Sequence, residues 1–171
     1  MQLLEQIYQK HHRNAYLWAR QCCRFDDELA RDVLQQVYLK ILEGKAKLKD
    51  NSNEKAWLFS VVRNTAVDAL KNRLIHLSVE MVPDQEDQYR EPDLNDYEAI
   101  IARLPKMQKE VILMVFYHGM TLEESARVLD LHIGTVRTHY DRGKKRVRQL
   151  IEQQNTVDEM LAYSNRQNLV L

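Results

Sequence analysis

The sequence predicts an all-α fold: two small helical domains joined by an acidic linker. Three observations lead there. The chain of 171 residues has only 4 Gly and 3 Pro, and strand-and-turn proteins need more of both. Apolar residues recur at helical spacing through several long runs. The formal net charge of zero hides a partition: residues 1–75 carry 13 basic and 9 acidic groups, 76–98 carry 1 and 8, 99–152 carry 10 and 6, and 153–171 carry 1 and 2. Two basic blocks flank an acidic stretch, a distribution that suits a polyanion partner. The expected organisation is a first domain over 1–75, a linker over 76–95, a second domain over 96–152 and a tail over 153–171.

The first domain reads as three helices. Over 2–24, Leu4, Ile7, Tyr8, His11, Ala15, Trp18 and Cys22 repeat at helical spacing. Asp26-Asp27-Glu28 starts the next helix, with acids at the positive end of its dipole, and it runs to about Glu43. Its inward stripe is Leu29, Val33, Val37, Tyr38 and Ile41, and its outer face shows Asp32, Gln35, Gln36, Leu39 and Lys40. Residues 44–53 form a loop, in which Gly44 can end one helix and Ser52 or Asn53 can cap the next. The third helix spans about Glu54 to Leu74, with Trp57, Leu58, Val61, Val62, Ala66, Ala69 and Leu70 on one side and Arg63, Asn64, Lys71 and Arg73 left for solvent or a ligand.

The second domain begins with a helix near Asn95–Leu104. Another follows with Pro105 at its first position, packed by Val111, Ile112, Val115 and Phe116 and ended by Gly119. The segment Gly119–Arg148 carries the most specific local signal. Thr121 and Glu124 make a capping box. Leu122, Ala126 and Leu129 face inward, and Asp130-Leu131-His132 makes the turn. A basic helix then runs from Ile133 past Arg148, with Val136, Tyr140, Val147 and Leu150 inside. Its outer side shows Gly134, Thr135, Arg137, Thr138, Asp141, Arg142, Lys145 and Arg148. This is a helix-turn-helix that places its second helix in the major groove of duplex DNA. Arg137 has two donors for guanine, and Thr138 can bond either way or touch a thymine methyl. Arg142, Lys144 and Lys145 are better placed for phosphates. His132 and His139, seven residues apart, have no third partner that would make them a metal site.

The composition also excludes classes. The start of the chain has no apolar run of signal-peptide or membrane-span length. The two cysteines, Cys22 and Cys23, are adjacent, a strained geometry for a mutual disulfide, and read as thiols of a reducing cytoplasm. No phosphate-binding glycine loop, metal-ligand cluster or nucleophile–base pair supports an enzyme, and no cofactor is implied.

Taken together, the two halves resemble the extracytoplasmic-function sigma factors of the sigma-70 family. The second half carries Gly119-Met-Thr-Leu-Glu-Glu-Ser-Ala-Arg-Val-Leu, Gly134-Thr-Val-Arg-Thr and Arg142-Gly-Lys-Lys-Arg-Val-Arg. The first carries Asp32-Val-Leu-Gln-Gln-Val-Tyr-Leu-Lys, Trp57-Leu-Phe and Arg63-Asn-Thr-Ala-Val-Asp68. The resemblance covers 1–152. It implies a region 2-like bundle and a region 4-like helix-turn-helix that bind core RNA polymerase and select promoters, without a catalytic site. By position, Asp32, Gln35, Gln36 and Lys40 would dock on the clamp helices of the polymerase largest subunit. Lys47, Asn51, Arg63, Asn64, Lys71 and Arg73 would hold the −10 element as melted single strand, a loop rich in Lys and Asn suiting a flipped base and its backbone. Thr135, Arg137, Thr138, His139, Arg142 and Lys145 would read the −35 element. An anti-sigma factor is the further expected partner, and the tail is either a frayed terminus, a helix folding back, or a regulator contact. Gln36 stands where the family usually has Glu, Ser125 where it has a large aliphatic residue, Asp130 where it has Gly or Asn, and His132 where a capping Ser is common, which predicts a less firmly started second helix. An operator-binding regulator that never joins polymerase is the competing reading of the helix-turn-helix alone.

Overall fold

The structure is a computed structural model that describes residues 2–49, 53–79 and 96–167. Every regular element among these is helical. They are α1 (Gln2–Cys22), α2 (Asp27–Leu42), α3 (Glu54–Val79), α4 (Asp96–Ala102), α5 (Lys106–Ile112) running into a π-helical segment (Leu113–Tyr117), α6 (Leu122–Leu129) and α7 (Ile133–Gln167). The chain divides into two compact units, Met1–Asp93 with Glu123–Leu131, and Leu94–Leu122 with His132–Leu171.

In the first unit α1, α2 and α3 each pack on the other two. Trp18 is the centre of this core. It is fully buried, its ring stacks on Phe59 at 5.4 Å between centroids, and its indole Nε1 donates to the Phe59 carbonyl at 3.0 Å. A buried indole N–H without an acceptor would be costly, so this one bond fixes the register of α1 against α3. Ile7, Ala15, Val33, Val37, Leu58, Val62 and Ala66 are buried in the same three helices. Tyr8, expected inside, is instead half-exposed; it stacks on His12 at 4.4 Å, and His12 Nδ1 pairs with the Tyr38 hydroxyl at 2.9 Å. A phenol ring reaches the surface without cost when a neighbouring ring covers its face.

The turn between α1 and α2 has no glycine. Arg24 and Phe25 both take positive φ, 57° and 64°, a conformation that costs about 1 kcal/mol or more for a residue with a Cβ. It is offset by the burial of Phe25. Asp26 then caps α2, its carboxylate accepting from the Leu29 amide at 2.9 Å and pairing with Arg73 Nη1 at 2.8 Å. Asn53 caps α3 through Oδ1 to the Ala56 amide at 2.9 Å, as the sequence allowed. The helix α3 continues past Leu74 to Val79, into residues expected to be linker. No proline interrupts the chain before Pro83, and an interior proline is what most often ends a helix.

In the second unit α5 and α7 make the principal contact. They meet at Gly143, where a Cβ would lie 2.7 Å from Ile112 Cγ1 and 3.4 Å from the Gln108 carbonyl. Pro105 precedes α5 as its N-cap, with φ −54° and ψ 144°, rather than standing at the first helical position as expected. The π segment was not foreseen. His118 N–H bonds the Leu113 carbonyl at 3.1 Å, five residues back, and the widened turn carries Phe116 outward to 61% exposure while Leu113 and Met114 stay buried. Phe116 and Val115 are expected in the core; the extra residue per turn takes Phe116 out of it, and its ring stacks on Tyr140 of α7 at 5.7 Å between centroids instead. Gly119 ends the segment at φ +63°.

Two stability outcomes follow. Gly143→Ala gains about 1 kcal/mol of helix propensity but overpacks Ile112, a cost of about 1–3 kcal/mol. Urea unfolding should show a net loss that shrinks in an Ile112→Ala background, and equal losses in both backgrounds would contradict the contact. Burial pushes the Asp26 carboxyl up, but the Leu29 amide and Arg73 outweigh it and hold it below its ordinary 3.8. A depressed folded pKa stabilises above the unfolded value and loses that stability as pH falls through the folded one. Wild type should therefore exceed Asp26→Asn, which keeps the cap, above about pH 4 and converge on it in more acid solution; Asp26→Ala should lose about 1 kcal/mol more through the cap itself.

Candidate nucleic-acid interface

The start of α7 is built by its turn. Asp130 takes φ +53°, the left-handed position that Asp tolerates better than most residues, and the Leu131 amide donates to the Ala126 carbonyl at 3.0 Å. His132 corrects the expectation of a weak helix start. Its ring Nδ1 accepts from the Gly134 amide at 3.1 Å, and its carbonyl accepts from Thr135 and Val136. The imidazole thus does what a capping Ser would. Gly134 fits beneath the ring, where a Cβ would lie 3.2 Å from Nδ1. Ser125 is fully buried with Ala126, Val128 and Leu129 on the inner side of α6, and Glu124 accepts a hydrogen bond from Asn53 Nδ2.

The outer face of α7 is as the sequence placed it. Thr135, Arg137, Thr138, Arg142 and Lys145 are all exposed, with Val136 and Leu150 buried behind them. Thr138 commits its hydroxyl hydrogen to the Gly134 carbonyl at 3.0 Å, which leaves its methyl and its oxygen lone pairs outward-facing chemistry for a base. His139 differs from the others. It is half-buried, and its Nδ1 is shielded from solvent with no hydrogen-bond partner, so it offers duplex DNA less than its neighbours do. Lys144 leans on Tyr140, 4.2 Å above the ring, and pairs with Asp141 at 3.2 Å.

In the first unit the strand-holding candidates fall into three groups. Lys47, Asn64 and Lys71 are exposed, and Arg63 is half-buried on the same helix as the last two. Arg73 is engaged with Asp26, so it braces the end of α3 to the start of α2. Asn51 lies outside the described residues.

On α2, Asp32, Gln35 and Gln36 are exposed together. Lys40 is not part of that surface, because its Nζ donates to Thr65 Oγ1 at 3.0 Å on α3. Its place is taken by two leucines that the sequence reading did not single out as contacts: Leu39 at 49% and Leu42 at 54% exposure. Positions 32, 35, 36, 39 and 42 share one face at helical spacing, the signal that would have found them. A shallow cleft of about 420 Å³ borders it, lined by His12, Tyr16, Arg31, Leu34, Gln35 and Tyr38. An exposed stripe mixing carboxylate, amides and leucines is protein-docking chemistry, since polar rim and apolar centre lie side by side. Among the described residues no helix is long and apolar enough to cross a membrane, and no three side chains form a metal cluster.

The family profile of sigma-70 region 2 matches residues 7–74, and that of sigma-70 region 4 matches 94–147. The ECF RNA polymerase sigma factor SigX of Bacillus subtilis is 26% identical over 160 residues, covering 85% of this chain and 82% of its own. The ECF RNA polymerase sigma factor RpoE of Cereibacter sphaeroides is 31% identical over 132 residues, covering 72% of this chain and 70% of its own. Among solved structures, the sigma factor RpoE of Bartonella quintana, crystallised with the anti-sigma factor NepR, shares the fold with a TM-score of 0.73 at 22% identity, over 89% of this chain and 98% of that one. CnrH in complex with the cytosolic domain of CnrY gives 0.64 at 19% identity, over 88% of each chain. A match of region 2 ahead of region 4 leaves the operator-binding reading without support. With both regions in order and a relative above 30% identity across most of its length, the chain belongs to the extracytoplasmic-function RNA polymerase sigma factors of the sigma-70 family.

Proposed function

We propose that this sigma factor grips its promoter at two points from separate units, while the α2 face holds it on core RNA polymerase. The observation that carries the reading is the exposure of three distinct residue sets on three helices. Thr135, Arg137, Thr138, Arg142 and Lys145 are exposed on α7, Asn64 and Lys71 on α3 beside the half-buried Arg63, and Asp32, Gln35, Gln36, Leu39 and Leu42 on α2. The first set reads −35 base edges and holds the flanking phosphates. The second, with Lys47 and Asn51 of the preceding loop, holds the melted −10 strand through backbone charge and base stacking. The third docks on the clamp helices of the polymerase largest subunit. Core polymerase supplies the chemistry, and this chain has no active site of its own. It works in the cytoplasm, where its polymerase is. Because the sigma factor RpoE of Bartonella quintana, which shares the fold, is crystallised with an anti-sigma factor, an anti-sigma factor is the expected regulator here too.

Arg137→Ala should lose roughly tenfold or more of the preference for a −35 duplex over a scrambled one, because a bidentate guanine contact discriminates by about 1–3 kcal/mol. Fluorescence anisotropy measures this, and an unchanged ratio would show that Arg137 reads no base. Leu39→Asp combined with Gln35→Ala should abolish co-elution with core polymerase in gel filtration while leaving duplex affinity intact. A stable complex with that variant would remove α2 from the docking surface.

A further inference from the structure

The close approach at Gly143 leaves a cleft beside it. It is a hollow of about 350 Å³, lined by Pro105 and Gln108 from the start of α5 and by Arg142, Lys145, Arg146 and Gln149 from α7. Its walls hold three cations and two amides and no acid. The nearest α7 carboxylate, Asp141, is paired with Lys144, and no described residue forms an ion pair with Arg142, Lys145 or Arg146. A carboxamide can donate from its nitrogen, so every polar side chain in the lining can donate to an anion.

The cleft is continuous with the DNA-reading face. Thr135, Thr138, Arg142, Lys145 and Gln149 follow one another at three- and four-residue steps, on one line along the helix. At 1.5 Å per residue, Arg142 lies about 14 Å and Arg146 about 20 Å along the axis from Ile133. The major groove is only about 8.5 Å deep. When the first turns of α7 reach the base edges, Arg146 is therefore at or beyond the groove rim, where the backbone is the available anion.

We propose that this cleft seats a phosphodiester of the promoter duplex, with Arg146 and Gln149 as positioning residues beyond the base-reading turns of α7. It rests on the reading of α7 as the −35 reader and adds a register stop to it. The phosphate docks where α5 and α7 cross, so the same contact that sets the angle of α7 also sets how far along the groove it enters. Phosphate contacts of this kind fix orientation and carry no sequence preference.

The test uses the full chain and two duplexes, one carrying the −35 sequence shared by mapped start sites and one scrambled, titrated by anisotropy between about 50 and 200 mM salt. Arg146→Ala should bind both about fivefold more weakly, with the slope of log K against log salt shallower by about one and the ratio between duplexes unchanged. Arg146→Lys should restore the slope. Methylphosphonate substitution, one backbone position at a time, should reveal a position whose neutralisation weakens wild type and not Arg146→Ala. The proposal is overturned if Arg146→Ala keeps the wild-type slope, if it changes the ratio between duplexes, or if every neutralised position adds independently to the substitution. Wild type without preference for either duplex would bring down the −35 reading as well; a preference intact in wild type with an indifferent Arg146→Ala brings down the cleft alone.

Discussion

Gly143 stands where α7 crosses α5, and no side chain would fit there without displacing Ile112 or crowding the Gln108 carbonyl. Helices approach this closely only when one of them presents bare backbone, and packed interiors shift in discrete steps rather than yielding gradually. The direction in which α7 leaves its unit is thus set by one missing Cβ. What α7 can present to a groove follows from that direction. Thr135, Arg137 and Thr138 face outward because Val136 and Leu150 are pinned behind them, and the basic cleft exists because α5 comes near enough to form its opposite wall.

The first unit rests on a comparable pin. Trp18 ties α1 to α3 through a stacked ring and a hydrogen bond to a backbone carbonyl, and Lys40 and Arg73 tie α2 to α3. These interactions take charged groups away from the surfaces where a partner would meet them. What remains exposed on α2 is Asp27, Glu28, Arg31 and Asp32, two amides and two leucines, a surface of mixed charge to which the leucines add apolar contact. The uncharged Gln at position 36 moves the balance the same way. Polymerase docking through this face should accordingly depend less on ionic strength than DNA binding through α7, whose exposed face is rich in Lys and Arg.

Much of this was legible in the sequence because it depends on local rules. Apolar spacing located the helices, Asp26-Asp27-Glu28 marked a helix start, Ser52 and Asn53 were the two candidate caps of the next, and Asp130 suited the left-handed turn that it takes at φ +53°. The outward residues of α7 followed from periodicity alone. What escaped depends on tertiary geometry. The π segment is invisible in a pattern of apolar residues that reads equally well as α-helix, so Phe116 was placed inside. Arg73 and Lys40 look like free cations on a helical wheel, and only the fold brings Asp26 and Thr65 to them. His132 was read as a poor cap because histidine rarely caps, but its ring nitrogen sits within hydrogen-bond distance of the Gly134 amide. Spacing alone puts Leu39 on the outer face with Asp32, Gln35 and Gln36, and Leu42 one turn on continues that face.

The central claim is that one chain holds a promoter at two points whose separation the assembled enzyme fixes. Run-off transcription with purified chain and core polymerase, on templates in which the mapped −35 and −10 elements are moved apart by about 5 bp, half a helical turn, tests it most directly. A two-point grip predicts transcription from the native spacing and almost none from the shifted one, since the −35 element then faces the wrong side of the duplex. Equal transcripts from both templates would show that the two surfaces do not act together, and would contradict the claim.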